Sequence, residues 1–342
     1  MAGVIPICRL EEIANPENLL RAAAKARRGK SRRPDVEAWW LRRESEVLRL
    51  AEQLHHGRWR PGSYRFFEIH EPKRRMIAAA PFGDRVVHHA LCAALQPVLE
   101  RRFIARSFSC QIDKGTTAAR NCCRQLTNRH SFVLKCDVKK FFPSLDHEVL
   151  LGKLAGVVRD PDVLTLCKLI VASYRMADRP RPCGVPIGNL TSQLWGNFYL
   201  DALDHTITEG ERHGAYLRYT DDFLLFSDDK RRLWDLRARI VSELDALRLE
   251  LSEPKSRLLA TREGVPFCGF RFLPGLQPRV LGATKRRFEN RRSRLFRAEE
   301  MIALTKAVFA WYQFSREANA VGLRAAYSRW PLDPRRRQSR PS

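Results

Sequence analysis

The pattern of apolar and polar positions is clearest at residues 215–229, AYLRYTDDFLLFSDD. Two short runs of aromatic and aliphatic residues flank Thr220, Asp221 and Asp222, which predicts a β-hairpin whose tight turn carries paired carboxylates. An Asp pair at a turn is, by itself, more often a solvated cap than a site. A second apolar strand, however, ends in Asp137 just before a basic and aromatic turn. Three carboxylates at the ends of neighbouring strands suit two hard divalent cations that act on phosphates.

Most of the remaining pattern has helical spacing. An apolar stripe predicts one helix from Asp35 through Gln53. Alternation predicts a hairpin over 64–80, with Glu71 to Arg74 at its turn, and a strand with a central glycine over 267–272. Residues 249–256 are predicted to form a strand and a turn. Further helices are predicted over 15–28, 84–99, 116–128, 146–158, 160–174, 190–206, 230–247, 284–297, 303–314 and 318–330.

The amino-acid composition indicates a polyanionic binding partner. The chain has 342 residues, its 44% hydrophobic content supplies a sizeable core, and its formal charge of +24 favours an anionic ligand. Basic residues alone do not separate nucleic acid from an anionic membrane. No run approaches the roughly 18 apolar residues that span a bilayer, and the N-terminus lacks a signal-peptide pattern. We therefore expect a cytoplasmic protein with no membrane partner.

Cysteine usage argues against a structural metal or a disulfide framework. The nine cysteines form no CxxC pair, their number is odd, and several lie in apolar segments. They are predicted to be reduced core thiols.

Three motifs carry a resemblance to a known family. Residues 219–222, YTDD, resemble the YxDD motif of reverse transcriptases, and Asp137 followed five positions later by Phe142 resembles their first catalytic motif. Between them, residues 184–193, GVPIGNLTSQ, resemble the loop and helix that support the templating base pair. The order and spacing of all three agree with the family, and the combination is far more specific than any one part.

One motif departs from the common pattern. Most cellular and viral reverse transcriptases have Gln before the glycine and Pro after the serine, where this chain has Ile187 and Gln193. The IGNLTSQ sequence resembles instead the reverse transcriptases of diversity-generating retroelements. The resemblance extends from about Asp35 to about Tyr327, nearly the whole chain.

The resemblance implies an α+β fold, a right-hand polymerase with fingers, a palm made of an antiparallel sheet plus helices, and a helical thumb. The implied divisions are an N-terminal lead-in (1–34), fingers with part of the palm (35–130), palm (131–275), thumb (276–332) and a disordered basic tail (333–342). No appended endonuclease, RNase H or maturase segment is visible in the pattern.

The resemblance also implies the site. Asp137 and Asp221 would hold two Mg²⁺ ions, for which Mn²⁺ can substitute, with Asp222 in support and Val138 completing the metal set. Phe142 would stack under the deoxyribose and exclude a 2′-hydroxyl. The implied nucleotide-binding residues are Lys73, Arg75, Phe142, Ile187, Gly188, Gln193 and Lys255, and the implied primer grip is Phe267, Gly269 and Phe270.

Structural alternatives remain open for several of these residues. Lys73 and Arg75 also fit an exposed basic turn, Lys255 a solvated lysine, and Phe142 or Ile187 ordinary packing.

The implied function is an RNA-directed DNA polymerase that copies a template-repeat RNA into cDNA, with errors at adenines. Its partners would be template RNA, primer or cDNA, dNTPs and a small helical-bundle accessory protein, docked on the basic thumb or on the segment from Asn15 to Arg28. The alternatives are another prokaryotic reverse transcriptase, of the phage-defence, retron or group II intron type, and a non-enzymatic RNA-binding protein on a polymerase scaffold.

Overall fold

The computed structural model describes residues 8–69 and 74–328. Their contacts divide the chain into two units. The first comprises Met1–Ala119 and Leu134–Leu258, and the second comprises Arg120–Val133 and Leu259–Ser342. No helix among the described residues is long and apolar enough to cross a membrane. All nine cysteines are free, and most are buried.

The first unit begins with helices that pack around one buried helix. Asn15 caps the second of them, since its side chain accepts backbone N–H groups from Glu17 and Asn18. The central helix has a buried apolar face and contacts both the second helix and α10 of the palm, described below. The bounds are α1 Leu10–Ala14, α2 Pro16–Arg27, α3 Pro34–Leu41, α4 Arg43–His55 and α5 Phe82–Glu100. Helix α6, Thr116–Arg129, begins at the end of this segment, and its residues from Arg120 onward belong to the second unit.

The prediction of one continuous helix from Asp35 to Gln53 is wrong, because the chain turns at Arg42 (φ −105°, ψ 19°) between α3 and α4. The apolar stripe of α3 buries Val36 and Trp39, but the position that would extend it, 43, is Arg. A straight helix would carry this charge toward the core, at a desolvation cost. The break avoids that.

A two-stranded hairpin follows, as predicted. Strands β1 (Arg65–Ile69) and β2 (Arg75–Ala79) pair antiparallel. Residues 71–73 of the predicted turn, which include Lys73, lie outside the described residues, whereas Arg74 is described and pairs with Glu68.

The palm sheet has four strands in the order β4-β5-β3-β6. Its central strands are apolar on both faces; Leu224 and Leu225, successive residues of β5, are both buried. Along the chain, helices lie between the strands of this sheet. The strands are β3 Phe132–Asp137, β4 Tyr216–Tyr219, β5 Asp222–Ser227 and β6 Arg257–Ala260, and the helices are α7 Phe141–Ser144, α8 His147–Ala155, α9 Pro161–Ala172, α10 Leu190–Tyr199, α11 Asp201–His205 and α12 Lys230–Ala246.

The helix predicted over 190–206 is interrupted. Leu200 has φ −90° and ψ 1°, outside the helical region, so α10 ends at Tyr199 and α11 begins at Asp201. A π-helical turn, Thr206–Gly210, then leads toward β4.

The second unit contains a three-stranded sheet, β7 Val265–Phe267, β8 Phe270–Phe272 and β9 Arg279–Val280, in that order. Besides most of α6, it contains three further helices, α13 Gly282–Arg297, α14 Met301–Ser315 and α15 Val321–Ser328. Phe288 stacks on Trp311 with ring centroids 4.3 Å apart, and Tyr327 meets both rings edge-on. This aromatic cluster forms a core for the three helices.

Candidate active site

The TDD turn joins β4 and β5. Tyr219 pairs with Asp222, so the turn itself contains only Thr220 and Asp221. The expectation that the turn carries both carboxylates is therefore corrected, because Asp222 is the first residue of β5. Thr220 has φ +60°, in the left-handed region that a β-branched residue rarely adopts.

The sheet places Asp137 beside this turn. Asp137 ends β3, which neighbours β5, and the backbone N–H of Val138 donates to the Asp221 carbonyl at 3.3 Å. The three acids are near enough to affect one another electrostatically. Burial raises the pKa of Asp221 to about 6, and the charges of Asp137 and Asp222 add to this rise, which Lys255 opposes. Burial likewise raises the pKa of Asp222, against the opposing effect of Lys135.

Two lysines neutralise the outer carboxylates. Lys255 donates to Asp137, and Lys135 donates to Asp222. Lys255 lies in a 3₁₀ turn, Glu253–Lys255. The strand predicted over 249–256 is therefore reduced to a single bridge between Val138 and Leu251. Sequence reasoning missed Lys135, although it lies two residues before Asp137 and so projects from the same face of β3.

The donor set fits a divalent cation. In the described part of the chain no three His, Cys, Asp or Glu side chains are gathered into a metal-binding group, and lysine nitrogens pair with Asp137 and Asp222. Burial raises the pKa of Asp221, and the charges of Asp137 and Asp222 add repulsion that raises it further. Hard oxygen donors with uncompensated repulsion are what Mg²⁺ or Mn²⁺ relieves.

The loop before α10 lies against the hairpin. Gly188 has φ +119°, and a Cβ built there would meet Ile77 of β2 at 3.3 Å, so the backbone needs glycine both for its conformation and for this close approach. Ile187 is half-buried and Gln193 is exposed. Arg75, the first residue of β2, is also exposed. Ile187, Gly188 and Gln193 lie on this loop and on the first turn of α10. The loop lies close to β2, whose first residue is Arg75.

Phe142 lies on α7, directly after the Asp137 strand, and is half-buried. A Cβ on Gly196 of α10 would stand 3.1 and 3.2 Å from the rings of Phe141 and Phe142. Helix α10 therefore approaches both rings closely. Phe141 is buried, which leaves Phe142 as the partly exposed ring of the pair.

The predicted primer grip lies in the second unit. Cys268 and Gly269 form the turn between β7 and β8, with φ values of +43° and +87°. Phe267 and Phe270 are buried, so the turn exposes backbone rather than these rings. A Cβ on Gly269 would meet the Phe314 ring at 2.8 Å. Glycine is therefore required here by packing as well as by conformation.

Helix α13 of the same unit has a buried apolar stripe and an exposed basic surface. Phe288 and Leu295 are buried, while the rest of the helix surface presents exposed cations, namely Lys285, Arg286, Arg287, Arg291, Arg294 and Arg297. Such a face can follow a phosphate backbone.

A buried polar network beneath the TDD turn was not predicted. Arg218 is wholly buried, donates to both carboxylate oxygens of Asp204, and also reaches Asn197. Tyr216 donates to the same carboxylate at 2.6 Å. No short-range signal indicates these contacts, since the partners lie up to 21 residues apart on different elements.

Asp137 ends β3, Asp221 lies in the turn between β4 and β5, and Asp222 begins β5, so the three carboxylates form a set that fits nucleotidyl transfer. The family model "Reverse transcriptase (RNA-dependent DNA polymerase)" matches residues 69–272. The chain belongs to this reverse transcriptase family. The predicted α+β right-hand polymerase fold, and the prediction of an RNA-directed DNA polymerase, are confirmed at the level of the family.

Individual proteins show more distant similarity. Protein YkfC of Escherichia coli (strain K12) is 24% identical over 275 residues, covering 67% of this chain and 71% of that protein. The telomerase of Candida albicans, solved with a fragment of telomeric RNA, is 15% identical with a TM-score of 0.49, and apo telomerase of Candida tropicalis is 12% identical with a TM-score of 0.48. These matches cover 66% and 62% of this chain, which spans about half of each telomerase chain, 46% and 47% respectively.

Proposed function

We propose that this chain is the reverse transcriptase of a diversity-generating retroelement, which copies a template-repeat RNA into cDNA with errors at adenines. Polymerase chemistry is supported by the family match and by the carboxylates on β3 and β5. The retroelement type is supported by one observation, the IGNLTSQ sequence at the loop that lies against the fingers hairpin.

For catalysis, we assign metal binding to Asp137, Asp221 and the Val138 backbone, with Asp222 in support. Two bound Mg²⁺ ions would supply a lowered pKa at the primer 3′-hydroxyl and charge neutralisation at the triphosphate. The chain's own part is to hold anionic oxygens in place. Lys255 and Lys135 form ion pairs with Asp137 and Asp222 and so orient these carboxylates.

For the nucleotide, we assign the triphosphate to Arg75 together with Lys73. A guanidinium offers fixed charge and bidentate donation to phosphate oxygens. Lys255 donates to Asp137, so its ammonium group lies beside the proposed metal site. There it would neutralise charge on the leaving pyrophosphate. Phe142, the partly exposed ring after the Asp137 strand, serves as the barrier to a ribose 2′-hydroxyl.

The error-prone property is assigned to Ile187. Where the common family pattern has an amide that can hydrogen-bond the incoming nucleotide, this half-buried side chain offers only hydrocarbon. Loss of one hydrogen bond is worth about 0.5–1.5 kcal/mol, or roughly threefold to tenfold in discrimination. That loosens selection without stopping synthesis.

The test of this proposal is the sequencing of cDNA made on one RNA template. Wild type should misincorporate mainly opposite adenine, and Ile187→Gln should lower that error rate about threefold to tenfold. Ile187→Val, which shortens the hydrocarbon without adding an amide, is the matched control and should keep the wild-type spectrum. Equal error rates at adenine for wild type and Ile187→Gln would contradict the assignment.

We also propose a small helical-bundle accessory protein that helps bind the template RNA. Its dock is the exposed basic face of α13 or the segment from Asn15 to Arg28. Charge reversal in each segment should weaken capture of that protein in a pull-down, and capture unaffected by reversal of both would rule out this location.

A further inference from the structure

The conformation of Thr220 needs support from its surroundings. Eight non-glycine residues in the described part of the chain have positive φ, and Thr220 is the only β-branched one among them. Left-handed backbone is disfavoured for L residues, and most of all for branched ones. Such strain persists only where neighbouring contacts over-determine it. Because Thr220 immediately precedes Asp221, whatever holds Thr220 also sets the position of that carboxylate.

Two hydrogen bonds hold Thr220 from opposite ends. Its hydroxyl donates to the Ser109 hydroxyl at 2.9 Å. Its carbonyl accepts from the Arg218 guanidinium at 3.0 Å. The first bond joins residues 111 positions apart and is made by a side chain, so it can be deleted without touching the hairpin ladder.

Ser109 is itself rigidly placed. It is 3% exposed, and its carbonyl accepts a hydrogen bond from the Asn197 side chain on α10. The segment that precedes it runs along the open edge of β4, where the Phe108 N–H donates to the Arg218 carbonyl and the Arg218 N–H donates to the Arg106 carbonyl, both at 3.0 Å. The hydroxyl therefore extends from a fixed edge of the sheet and not from a loose loop.

The next residue links this edge to the nucleotide loop. The Cys110 thiol contacts the Gln193 side-chain oxygen at 3.5 Å. A continuous polar path thus runs from the first turn of α10, through Cys110 and Ser109, to the TDD turn.

We propose that Ser109 is a positioning residue for the reaction, acting through Thr220 to fix Asp221. The inference rests on the proposed catalytic role of Asp221. Ser109 touches neither substrate nor metal in this account; it prevents the turn from relaxing out of the left-handed conformation. The expected consequence of its loss is a slower chemical step with unchanged nucleotide affinity, because the residues assigned to the triphosphate are untouched.

The test is single-nucleotide incorporation on an RNA template, measured against dNTP concentration. Ser109→Ala and Thr220→Val each delete one hydroxyl and should lower the maximal rate by roughly threefold to tenfold, with the dNTP concentration for half-maximal rate unchanged. The double variant should be no slower than either single, since both remove the same bond. Thr220→Ser, which keeps the hydroxyl, should restore most of the rate.

Controls separate the possible failures. Thr127→Val removes another buried hydroxyl, which bonds the Cys123 carbonyl at 2.8 Å in the second unit, and should leave the rate unchanged. Asp221→Asn in the same assay tests the underlying function; if it incorporates nucleotides at the wild-type rate, the proposed site fails. If it is inactive while Ser109→Ala and Thr220→Val match wild type, only the positioning role is overturned. Additive losses in the double variant, or losses matched by weaker RNA binding, would overturn that role as well. Should Ser109→Ala not fold, Thr220→Val decides alone.

Discussion

The raised pKa of Asp221 makes the candidate site costly for stability, and Asp221→Asn should therefore stabilise the metal-free protein at neutral pH. The folded-state pKa is about 6, against an ordinary value of 3.8. Since each pKa unit corresponds to about 1.4 kcal/mol, the ionised carboxylate costs about 3 kcal/mol at pH 7.5. Partial solvation and relaxation reduce this, so the expected gain from Asn is about 1–3 kcal/mol.

The pH dependence follows from the sign of the change. Between pH 4 and pH 6 the folded state binds the proton more readily than the unfolded state, so wild type loses stability as the pH rises through about 6. Asp221→Asn lacks this loss. The stabilities of the two proteins should be similar near pH 4, should diverge between about pH 4 and pH 6, and should differ by a constant amount above pH 6.

Urea denaturation in EDTA at pH 4.5 and pH 7.5 measures the effect, followed by a fluorescence or circular dichroism signal. Asp235→Asn is the matched control, because Asp235 is an exposed carboxylate on α12 and should change stability little at either pH. Addition of Mn²⁺ at pH 7.5 should stabilise wild type and not Asp221→Asn. An Asn variant equal to or less stable than wild type in EDTA at pH 7.5 would refute the argument that burial and neighbouring carboxylates raise the pKa of Asp221.

Two further predictions concern other assigned residues. Phe142→Ala should admit ribonucleotides, seen as rNTP incorporation on an RNA template; lower stability with unchanged sugar selection would instead identify a simple core residue. Gly269→Ala should destabilise the protein by about 2–4 kcal/mol, because it adds a left-handed backbone penalty to a clash with Phe314, whereas Gly275→Ala, with φ +69° and open space around it, should cost only about 1–2 kcal/mol. Denaturation curves that place the two glycine variants together would contradict the packing argument.

Local patterns predicted the elements that carry the site. The TDD hairpin, the Asp137 strand and the fingers hairpin each follow from alternation and turn residues within about fifteen positions, which is the range over which side-chain periodicity acts. The interruption of the helix between residues 35 and 53 could also have been predicted, from Arg43 in the stripe.

Long-range contacts could not be predicted in this way. Nothing in the neighbourhood of Ser109 indicates that it meets Thr220, and nothing near Arg218 identifies Asp204 and Asn197 as its partners. The Ser109 contact depends on which edge of the sheet the segment 106–110 covers, and the Arg218 contacts depend on how α10 and α11 pack against β4; tertiary packing decides both. The position of Lys135 could be predicted in part. Strand periodicity places it on the same face of β3 as Asp137, but it does not indicate the pairing of Lys135 with Asp222.

Primer extension on an RNA template in Mg²⁺ tests the central claim most directly, with wild type, Asp137→Asn, Asp221→Asn and the Asp235→Asn control compared at equal protein concentration. Metal binding needs anionic oxygen, whereas RNA binding is spread over many Lys and Arg residues. Wild type and the control should extend the primer. The two site variants should lose at least about 10²-fold in rate while binding RNA nearly as well as wild type. Extension by either site variant within about tenfold of wild type would contradict the assignment of these carboxylates to catalysis.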